Sequence, residues 1–242
     1  MAKVTTIVAL SMLLLPAAAM AQLKPEAPLG SRQLENPDVV DQTTVRIMQK
    51  KFAQCVYYRR EELALRFLTS GDPFTLDYDA LGMKHDDLNP RYGLDQCLSR
   101  AMRAGQSETS LVIRPTLMRT LLAEEVYLDS NPTPLALPAG SSEVLATRVF
   151  PASGGTDRAR SVAAFADCIA YHGTIEGDTL LRTDPASPEE GEAIRALVPI
   201  LSNCIVAGEE ISFTATSIRA MVAEGLWARS HYGAALAVGQ AQ

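Results

Sequence analysis

Apolar residues recur at three- and four-residue spacing along most of this chain, which is the pattern of amphipathic helices. The clearest run lies near the C-terminus, where Ile218, Met221, Val222 and Leu226 fall at positions i, i+3, i+4 and i+8. We expect this stripe to face the core. The pattern predicts an all-α fold with minor extended segments. The other predicted helices are 43–58, 63–68, 92–103, 115–127, one that begins near Asp157 and one from Pro188 to Cys204.

The C-terminal run has a counterpart one hundred residues earlier in the chain. Arg119 and Arg219 are separated by 219 − 119 = 100 positions. Further pairs keep the same register without a gap: Met118/Ile218, Leu122/Val222, Ala123/Ala223, Glu124/Glu224 and Tyr127/Trp227. The sequence therefore predicts two tandem helical units of similar topology.

Cap and turn residues set the predicted boundaries. Ser187 is placed to cap the helix that starts at Pro188, Pro115 stands at a first helical position, and Thr214 is placed to cap the repeated helix. Between the units the chain is rich in Pro, Gly and Ser, which is typical of a linker. Whether this linker docks, through Val144 to Phe150, or stays flexible is left open. The predicted segments are a signal peptide (1–21), a flexible leader (22–41), unit 1 (42–128), the linker (129–156), unit 2 (157–232) and a frayed tail (233–242).

The first 21 residues have the form of a signal peptide. Lys3 supplies the positive start, Ile7 to Pro16 the apolar centre, and Ala19-Met20-Ala21 the cleavage pattern. The apolar run is shorter than the roughly 20 residues that a membrane-spanning helix needs. We therefore expect an exported protein, periplasmic or secreted, that is cleaved near Ala21 and has no stable membrane anchor.

Export changes the interpretation of the four cysteines, because an even count in an oxidising compartment favours disulfides. Three pairings are possible. Phe52-Ala53-Gln54-Cys55 matches Phe165-Ala166-Asp167-Cys168, and Cys97 matches Cys204. The repeat therefore favours the bridges Cys55–Cys97 and Cys168–Cys204, which give two disulfide-stapled units.

Arg119, Glu124, Arg219 and Glu224 are the polar positions that both units keep. Positions five residues apart on a helix differ by about 140°, so the two residues of one helix cannot pair with each other. We expect each side chain to anchor its helix to another element of its own unit, through a salt bridge or a carbonyl contact. The alternative is an arginine that binds a ligand or partner. A buried and fully bonded Arg219 would favour the structural role.

Further candidates for structural or partner contacts are aromatic. Tyr127 and Trp227 share a helix stripe with the two arginines, and we expect this stripe to cover apolar surface while its polar ends reach outward. His172 ends a predicted helix before Gly173, where it would interact with the helix dipole. A general base is the alternative for His172. The irregular segment from Phe74 to Pro90 is the candidate contact loop.

Charge and motifs exclude several function classes. A formal net charge of −6 argues against binding to nucleic acid or anionic lipid. Of the usual catalytic and nucleotide-binding motifs, GxSxG, P-loop, GxGxxG and HExxH are all absent from the sequence. Asp77, Asp79 and residues 85–87 are the densest group of potential metal ligands. Asp77-x-Asp79 with Gly82 at the sixth position resembles a calcium loop, but Leu81 and Leu88 stand where ligands are required. The sequence therefore predicts a solvated acidic loop, with no metal site, no cofactor and no catalytic residue.

The order of Phe165-Ala166-Asp167-Cys168, Cys204 and the run from Ile218 to Trp227 resembles uncharacterised exported proteins of Gram-negative bacteria. Those proteins also have a Phe-Ala-x-Cys helix and a closing Leu-Arg-x-x-x-Ala-Glu helix. The resemblance covers both units, although the first unit departs by its longer segment from Phe74 to Pro90. It implies a helical architecture and an exported location, and it implies no activity.

These observations favour a non-catalytic binding or structural module that acts through contacts with a protein partner. The alternative is a small periplasmic inhibitor or immunity-type protein, which a deep cleft or a protruding loop would favour. An enzyme of an unrecognised type ranks third.

Overall fold

The structure, a computed structural model, describes residues 41–102, 113–205 and 213–239. Within these ranges the chain is helical, and its only extended pairing is a single bridge between Gly71 and Leu76. The all-α prediction is confirmed. The helices are α1 (Gln42–Arg59), α2 (Glu61–Thr69), α3 (Leu88–Tyr92) preceded by a 3₁₀ turn (His85–Asp87), α4 (Leu94–Ala101), α5 (Pro115–Ser130), α6 (Asp157–His172), α7 (Thr174–Arg182), α8 (Pro188–Cys204) and α9 (Ala215–Gly239).

Short polar side chains begin the helices where the sequence predicts them. Ser187 Oγ accepts a hydrogen bond from Glu190 N at 3.1 Å, and Thr214 Oγ1 accepts one from Ser217 N at 3.1 Å. Each bond satisfies an amide group that the first turn of a helix leaves unpaired. Pro115 is the first residue of α5. These predicted helix starts are confirmed.

Both predicted disulfides are confirmed. Cys55 on α1 is bonded to Cys97 on α4, and Cys168 on α6 is bonded to Cys204 at the end of α8. Their Cα–Cα distances, 5.4 and 5.8 Å, are ordinary for disulfides. Each bridge therefore joins two helices that are distant in sequence.

Helices α5 and α9 lie side by side in the middle of the molecule. Arg119, near the start of α5, contacts Glu224, and Asn131, just after α5, donates a hydrogen bond to Ser230 Oγ at 3.0 Å. Because these contacts advance together along both helices, α5 and α9 run in the same direction. Helices α1, α2 and α7 also pack on α5, while α6, α7 and α8 pack on α9. Each central helix is thus covered on more than one face.

This double coverage buries a second stripe of each central helix. This stripe consists of Arg119, Arg219, Tyr127 and Trp227, and each of these residues is at most 6% exposed. The expectation that their polar ends reach outward is therefore wrong. Since other helices cover this stripe, the polar ends find their partners inside the protein.

The predicted core stripe is buried except where a cleft interrupts it. Ile218, Val222 and Leu226 are buried, as are their counterparts on α5. Leu121 and Met221 are only partly buried, because they line the cleft described below.

The buried apolar side chains of both predicted units form one contiguous cluster. Phe67 and Tyr92 from the first unit belong to the same cluster as Leu180 and Leu197 from the second. The packing therefore joins the two regions into one core. Their boundaries and their similar topology remain predictions.

The linker is docked on the helices over part of its length. Leu145 is buried, and its N–H donates a hydrogen bond to Asp167 Oδ2 at 3.2 Å. Arg229 of α9 donates to the carbonyl oxygens of Ser142, at 3.0 Å, and of Glu143. The sequence left open whether the linker docks or stays flexible, and in the region from Ser142 to Leu145 it docks.

One predicted helix is interrupted. Gly93 has φ +64° and separates α3 from α4 inside the helix predicted at 92–103, because a left-handed residue ends a helix. Helix α9 continues to Gly239 through most of the predicted tail. The predicted signal peptide and the leader up to residue 40 lie outside the described residues. Among the described helices, none has the length and apolar character needed to cross a membrane.

Removal of either disulfide should lower the free energy of unfolding by about 4 kcal/mol. The bridges span 42 and 36 positions, so each restricts the unfolded chain to a similar extent. The variants C55A/C97A and C168A/C204A can be compared with the parent protein by urea titration. A variant with the unfolding midpoint of the parent would contradict the stabilising role of its bridge.

Candidate functional site

Two buried salt bridges cross between α5 and α9. Arg119 Nη2 on α5 lies 2.9 Å from Glu224 Oε1 on α9, and Arg219 Nη2 on α9 lies 2.7 Å from Glu124 Oε1 on α5. The four side chains are at most 7% exposed. Because each partner belongs to the other helix, the two ion pairs hold α5 and α9 together.

The guanidinium group of Arg219 is bonded at every nitrogen. Its Nε and Nη2 donate to the two carboxylate oxygens of Glu124, at 2.8 and 2.7 Å. Nη1 donates to Leu180 O at 3.1 Å, and Nη2 also donates to Leu181 O and Thr183 O, both at 2.9 Å. The planar fork of arginine suits this combination of a carboxylate with the carbonyl groups at the end of α7.

Arg119 is held in a related way with fewer oxygen partners. Its Nη1 donates to Leu68 O at the end of α2, and its Nη2 donates to Glu224 Oε1 at 2.9 Å. The guanidinium carbon lies 5.0 Å from the centroid of the Trp227 ring, which is a cation–π contact. Within the described residues, Arg119 Nε has no hydrogen-bond partner. The indole ring therefore covers a cation that is less completely bonded than Arg219.

Helix α1 adds Lys50 to the network. Its ammonium group contacts Glu124 and lies 2.6 Å from Glu125 Oε1. Neither glutamate side chain is more than 4% exposed. One lysine thus serves two neighbouring buried carboxyl groups.

The same helix also adds Arg46. Arg46 Nη2 lies 2.5 Å from Glu190 Oε1, and that oxygen also lies 3.1 Å from Arg219 Nη1. The other carboxylate oxygen of Glu190 accepts a hydrogen bond from Ala186 N at 2.8 Å. The start of α8 is thereby tied to α1 and α9.

On the opposite side, the docked linker supplies Arg148. This arginine contacts Glu224 and lies 3.1 Å from Asp167 Oδ1 on α6. Both partners are buried. The linker therefore contributes a charge to the centre of the protein in addition to covering apolar surface.

Burial and pairing have opposite effects on the pKa values of these carboxyl groups. Burial alone would raise the pKa values of Glu124 and Glu224, but the adjacent cations keep both below the usual range. Burial raises the pKa of Glu125 to about 7, because the attraction of Lys50 only partly offsets it. Glu125 therefore changes its charge near neutral pH.

The partners of the two arginines match the expected contacts within each unit and add contacts between the units. Contacts within the same unit are present for the carbonyl groups, as with Arg119 and Leu68 or Arg219 and Leu180. Arg219 also pairs within its own unit, with Glu190 Oε1 at 3.1 Å. Glu224 and Glu124, in contrast, reach Arg119 and Arg219 from the other predicted unit, because α5 and α9 lie side by side. Since Arg219 is buried and fully bonded, its environment favours a structural role over a free ligand-binding arginine.

A cleft of about 90 Å³ adjoins this network, between α1 and the N-terminal halves of α5 and α9. Pro73 and Phe74, at the start of the predicted contact loop, also line it. Within the described residues, Glu224 Oε2 has no hydrogen-bond partner, although this residue lines the cleft. Residues at matching positions of the two central helices line the cleft: Thr116/Thr216, Leu117/Ser217, Thr120/Ala220, Leu121/Met221 and Glu124/Glu224.

The remaining predicted positions lie away from the cleft. Tyr127 donates a hydrogen bond to Asp178 Oδ1 on α7 at 2.9 Å, and the Trp227 ring stacks on His231 with 5.4 Å between centroids. These are contacts within the protein. His172 is the last residue of α6, with a partly exposed side chain whose Nε2 lies 3.7 Å from Glu143 Oε1.

The acidic residues of the predicted contact loop support its turns. Asp77 Oδ1 accepts a hydrogen bond from Ala80 N at 2.8 Å, and Asp87 Oδ2 accepts one from Lys84 N at 2.9 Å. These bonds give the carboxylates a local structural role.

The sequence pattern did not identify six charged members of the network: Arg46, Lys50, Glu125, Arg148, Asp167 and Glu190. Arg46 and Lys50 share α1, and the others lie on four further segments, so no spacing connects the set. A usable signal is a charge inside an apolar run, as with Asp167 between Ala166 and Cys168. Such a charge needs a buried partner.

Comparison with protein-family models, with curated proteins and with solved structures finds no match. The chemistry of the site is therefore interpreted from its geometry. The central charges bind one another, and the adjoining cleft has apolar walls. This arrangement is suited to binding.

The substitution Arg219→Ala should lower the free energy of unfolding by about 3–5 kcal/mol, because it removes the arginine that pairs with buried Glu124. Arg219→Lys should also destabilise, since one ammonium group cannot replace the guanidinium fork. Urea titration measures both effects.

The matched control for Arg219 is Arg195→Ala on the surface of α8. Arg195 and Glu192 have side chains more than 70% exposed and lie 3.9 Å apart. This control should change stability by no more than about 0.5 kcal/mol. An equally small effect of Arg219→Ala would contradict the central role of the ion pair.

The substitution Glu125→Gln should stabilise the protein at alkaline pH. The folded state raises the pKa of Glu125 from 4.5 to about 7. The folded chain therefore keeps a proton that the unfolded chain releases, and the associated stability, complete below pH 4.5, is lost as the pH rises to about 7. Glutamine keeps the neutral form, so the variant should gain up to about 3 kcal/mol over the parent above about pH 8.

This pH effect can be measured by urea titration of variant and parent at both ends of the range. Glu189→Gln, on the exposed side of α8, is the control for loss of a carboxylate. If the difference between Glu125→Gln and the parent does not change with pH, the assignment to Glu125 is wrong.

Proposed function

We propose that this chain is an exported, non-catalytic binding module that holds a protein partner in the cleft between α5 and α9. The observation that carries this proposal is the cleft, a recess with apolar walls between two rigid helices. Recesses of this kind accept an apolar side chain of a partner, which often supplies much of the binding energy.

The charged network supports this role by fixing the walls of the cleft. Bonds between α5 and α9 determine how far apart the two helices lie. A preformed site loses less free energy on binding than one that must first become ordered.

The apolar lining of the cleft indicates what the partner would supply. Within the described residues Glu224 Oε2 has no hydrogen-bond partner, but this atom is buried and is not presented to a ligand. The proposed ligand is therefore a protein segment that inserts an apolar side chain.

Export is part of the same proposal. Residues 1–21 would act as a signal peptide cleaved near Ala21, and the mature chain would be periplasmic or secreted. The two disulfides support this location because such bonds persist in oxidising compartments. The resemblance to exported proteins of Gram-negative bacteria and the origin of the chain as two tandem units are proposed with it.

A second candidate is an inhibitor or immunity-type protein, in which the partner is an enzyme. The position of Phe74 at the cleft favours this candidate. Arg158 lies 4.6 Å from the Phe74 ring, and Asp72 accepts a hydrogen bond from Ser153 N at 2.7 Å. These contacts hold the loop beside the cleft, as a preformed inhibitory loop requires.

Site-directed photo-crosslinking tests the proposed site. A benzophenone amino acid at position 120, in the cleft, should form a cross-link to one protein partner in the producing cell. The same group at position 198, on an exposed part of α8, should not capture that partner. Loss of the partner's activity on binding would identify the inhibitor.

The substitution Ala220→Trp, which fills the cleft, should weaken binding of the captured partner roughly tenfold or more. Ala196→Trp places the same ring on the exposed side of α8 and should leave the affinity unchanged. Circular dichroism checks that both variants remain folded. Unchanged affinity in a folded Ala220→Trp variant would place the binding surface elsewhere.

A further inference from the structure

Four side chains with metal-binding chemistry meet where α6 ends. Cys168 and His172 lie four residues apart on α6 and therefore share one face of the helix. Glu143 approaches from the docked linker, and Cys204 is bonded to Cys168 from the end of α8. Three separate segments thus converge on one point.

The distances are close to those of a zinc site. One ligand atom each from Glu143, Cys168 and His172 lies within 4.8 Å of the others. His172 Nε2 and Glu143 Oε1 are already 3.7 Å apart. Tetrahedral zinc with bonds of about 2.0–2.3 Å places its ligand atoms about 3.3–3.8 Å apart. The His172 and Glu143 side chains are about half exposed, so small rotations can close the remaining difference.

The disulfide prevents this site from forming in the oxidised chain, because zinc binds thiolate sulfur. A dithiol reductant would transfer two electrons to the Cys168–Cys204 bond, become a disulfide itself and leave two thiols. Binding of Zn²⁺ would then release the two thiol protons. Two thiolates, one neutral imidazole and one carboxylate complete a four-coordinate set.

We infer that the reduced chain binds one Zn²⁺ through Cys168, Cys204, His172 and Glu143. In this state the metal joins α6, α8 and the docked linker in place of the disulfide. The sequence predicts no metal site, because nothing in it shows that Glu143 folds back onto the end of α6. This inference is independent of the proposed partner cleft.

The other disulfide provides an internal comparison. Four residues after Cys55, the position that corresponds to His172 is occupied by Arg59, which donates a hydrogen bond to Gln96 Oε1 at 2.5 Å. Arginine is no zinc ligand. Within the part of the chain that the structure describes, the group of Glu143, Cys168 and His172 has no counterpart at the first bridge.

The test uses the mature protein, oxidised or treated with a phosphine reductant, and titrates it with Zn²⁺ against a coloured chelator. We expect one equivalent of zinc in the reduced protein and none in the oxidised protein. His172→Ala and Glu143→Gln should each weaken zinc binding by roughly 10- to 100-fold or more. Loss of a group that only hydrogen-bonds to a metal ligand already costs this much affinity. His85→Ala, which removes an exposed histidine beside Asp86, should bind as the parent does.

Cobalt substitution identifies the sulfur ligands. The thiolate-to-cobalt absorption band should persist in C55S/C97S and disappear in C168S/C204S. Circular dichroism shows whether helix content lost on reduction returns with zinc, as we expect. Zinc binding that is absent, or equally strong in His172→Ala and Glu143→Gln, would overturn the inference. A cobalt band that persists in C168S/C204S would also overturn it.

Discussion

The rest of the fold depends on the two buried arginine–glutamate ion pairs that cross between α5 and α9. Moving charged groups out of water is costly, and only close pairing with further hydrogen bonds offsets that cost. The surrounding elements supply those bonds. The ends of α2 and α7 direct carbonyl groups at Arg119 and Arg219, and the linker brings Arg148 to Glu224. The positions of these segments follow from the need to satisfy the central charges.

The proposed binding site depends on the same constraint. The cleft exists because α5 and α9 carry matching small and apolar side chains on their first turns, close to the ion pairs. Leu121 and Met221 line the cleft beside these ion pairs and stay only partly buried. The charged centre and the open apolar surface therefore adjoin each other.

The sequence predicts most of the architecture, because helical periodicity and cap residues act locally. Ser187 and Thr214 begin their helices for reasons visible within four residues. The disulfide pairing was accessible because the Phe-Ala-x-Cys pattern occurs twice. The break at Gly93 was missed, since periodicity continues across a glycine whose backbone conformation the pattern does not reveal.

The sequence identified four residues at the centre of the candidate site but did not identify how they pair. Register identified Arg119, Glu124, Arg219 and Glu224, but the choice of partner depends on how α5 and α9 pack, which no local pattern specifies. Arg148 was less accessible still. It lies in a segment whose composition is typical of a linker, and its role appears only when that segment is folded against α6 and α9.

The crossing of the two ion pairs has the form of a symmetric dimer interface. In such an interface residue i of one subunit contacts residue j of the other, and j contacts i in return. Here both halves of the relation occur within one polypeptide, as Arg119 with Glu224 and Arg219 with Glu124. Because one polypeptide carries both sides, the two sides need not be identical. Lys50 and Arg148 show such a difference, because each brings a cation to only one of the two glutamates, from different segments of the chain.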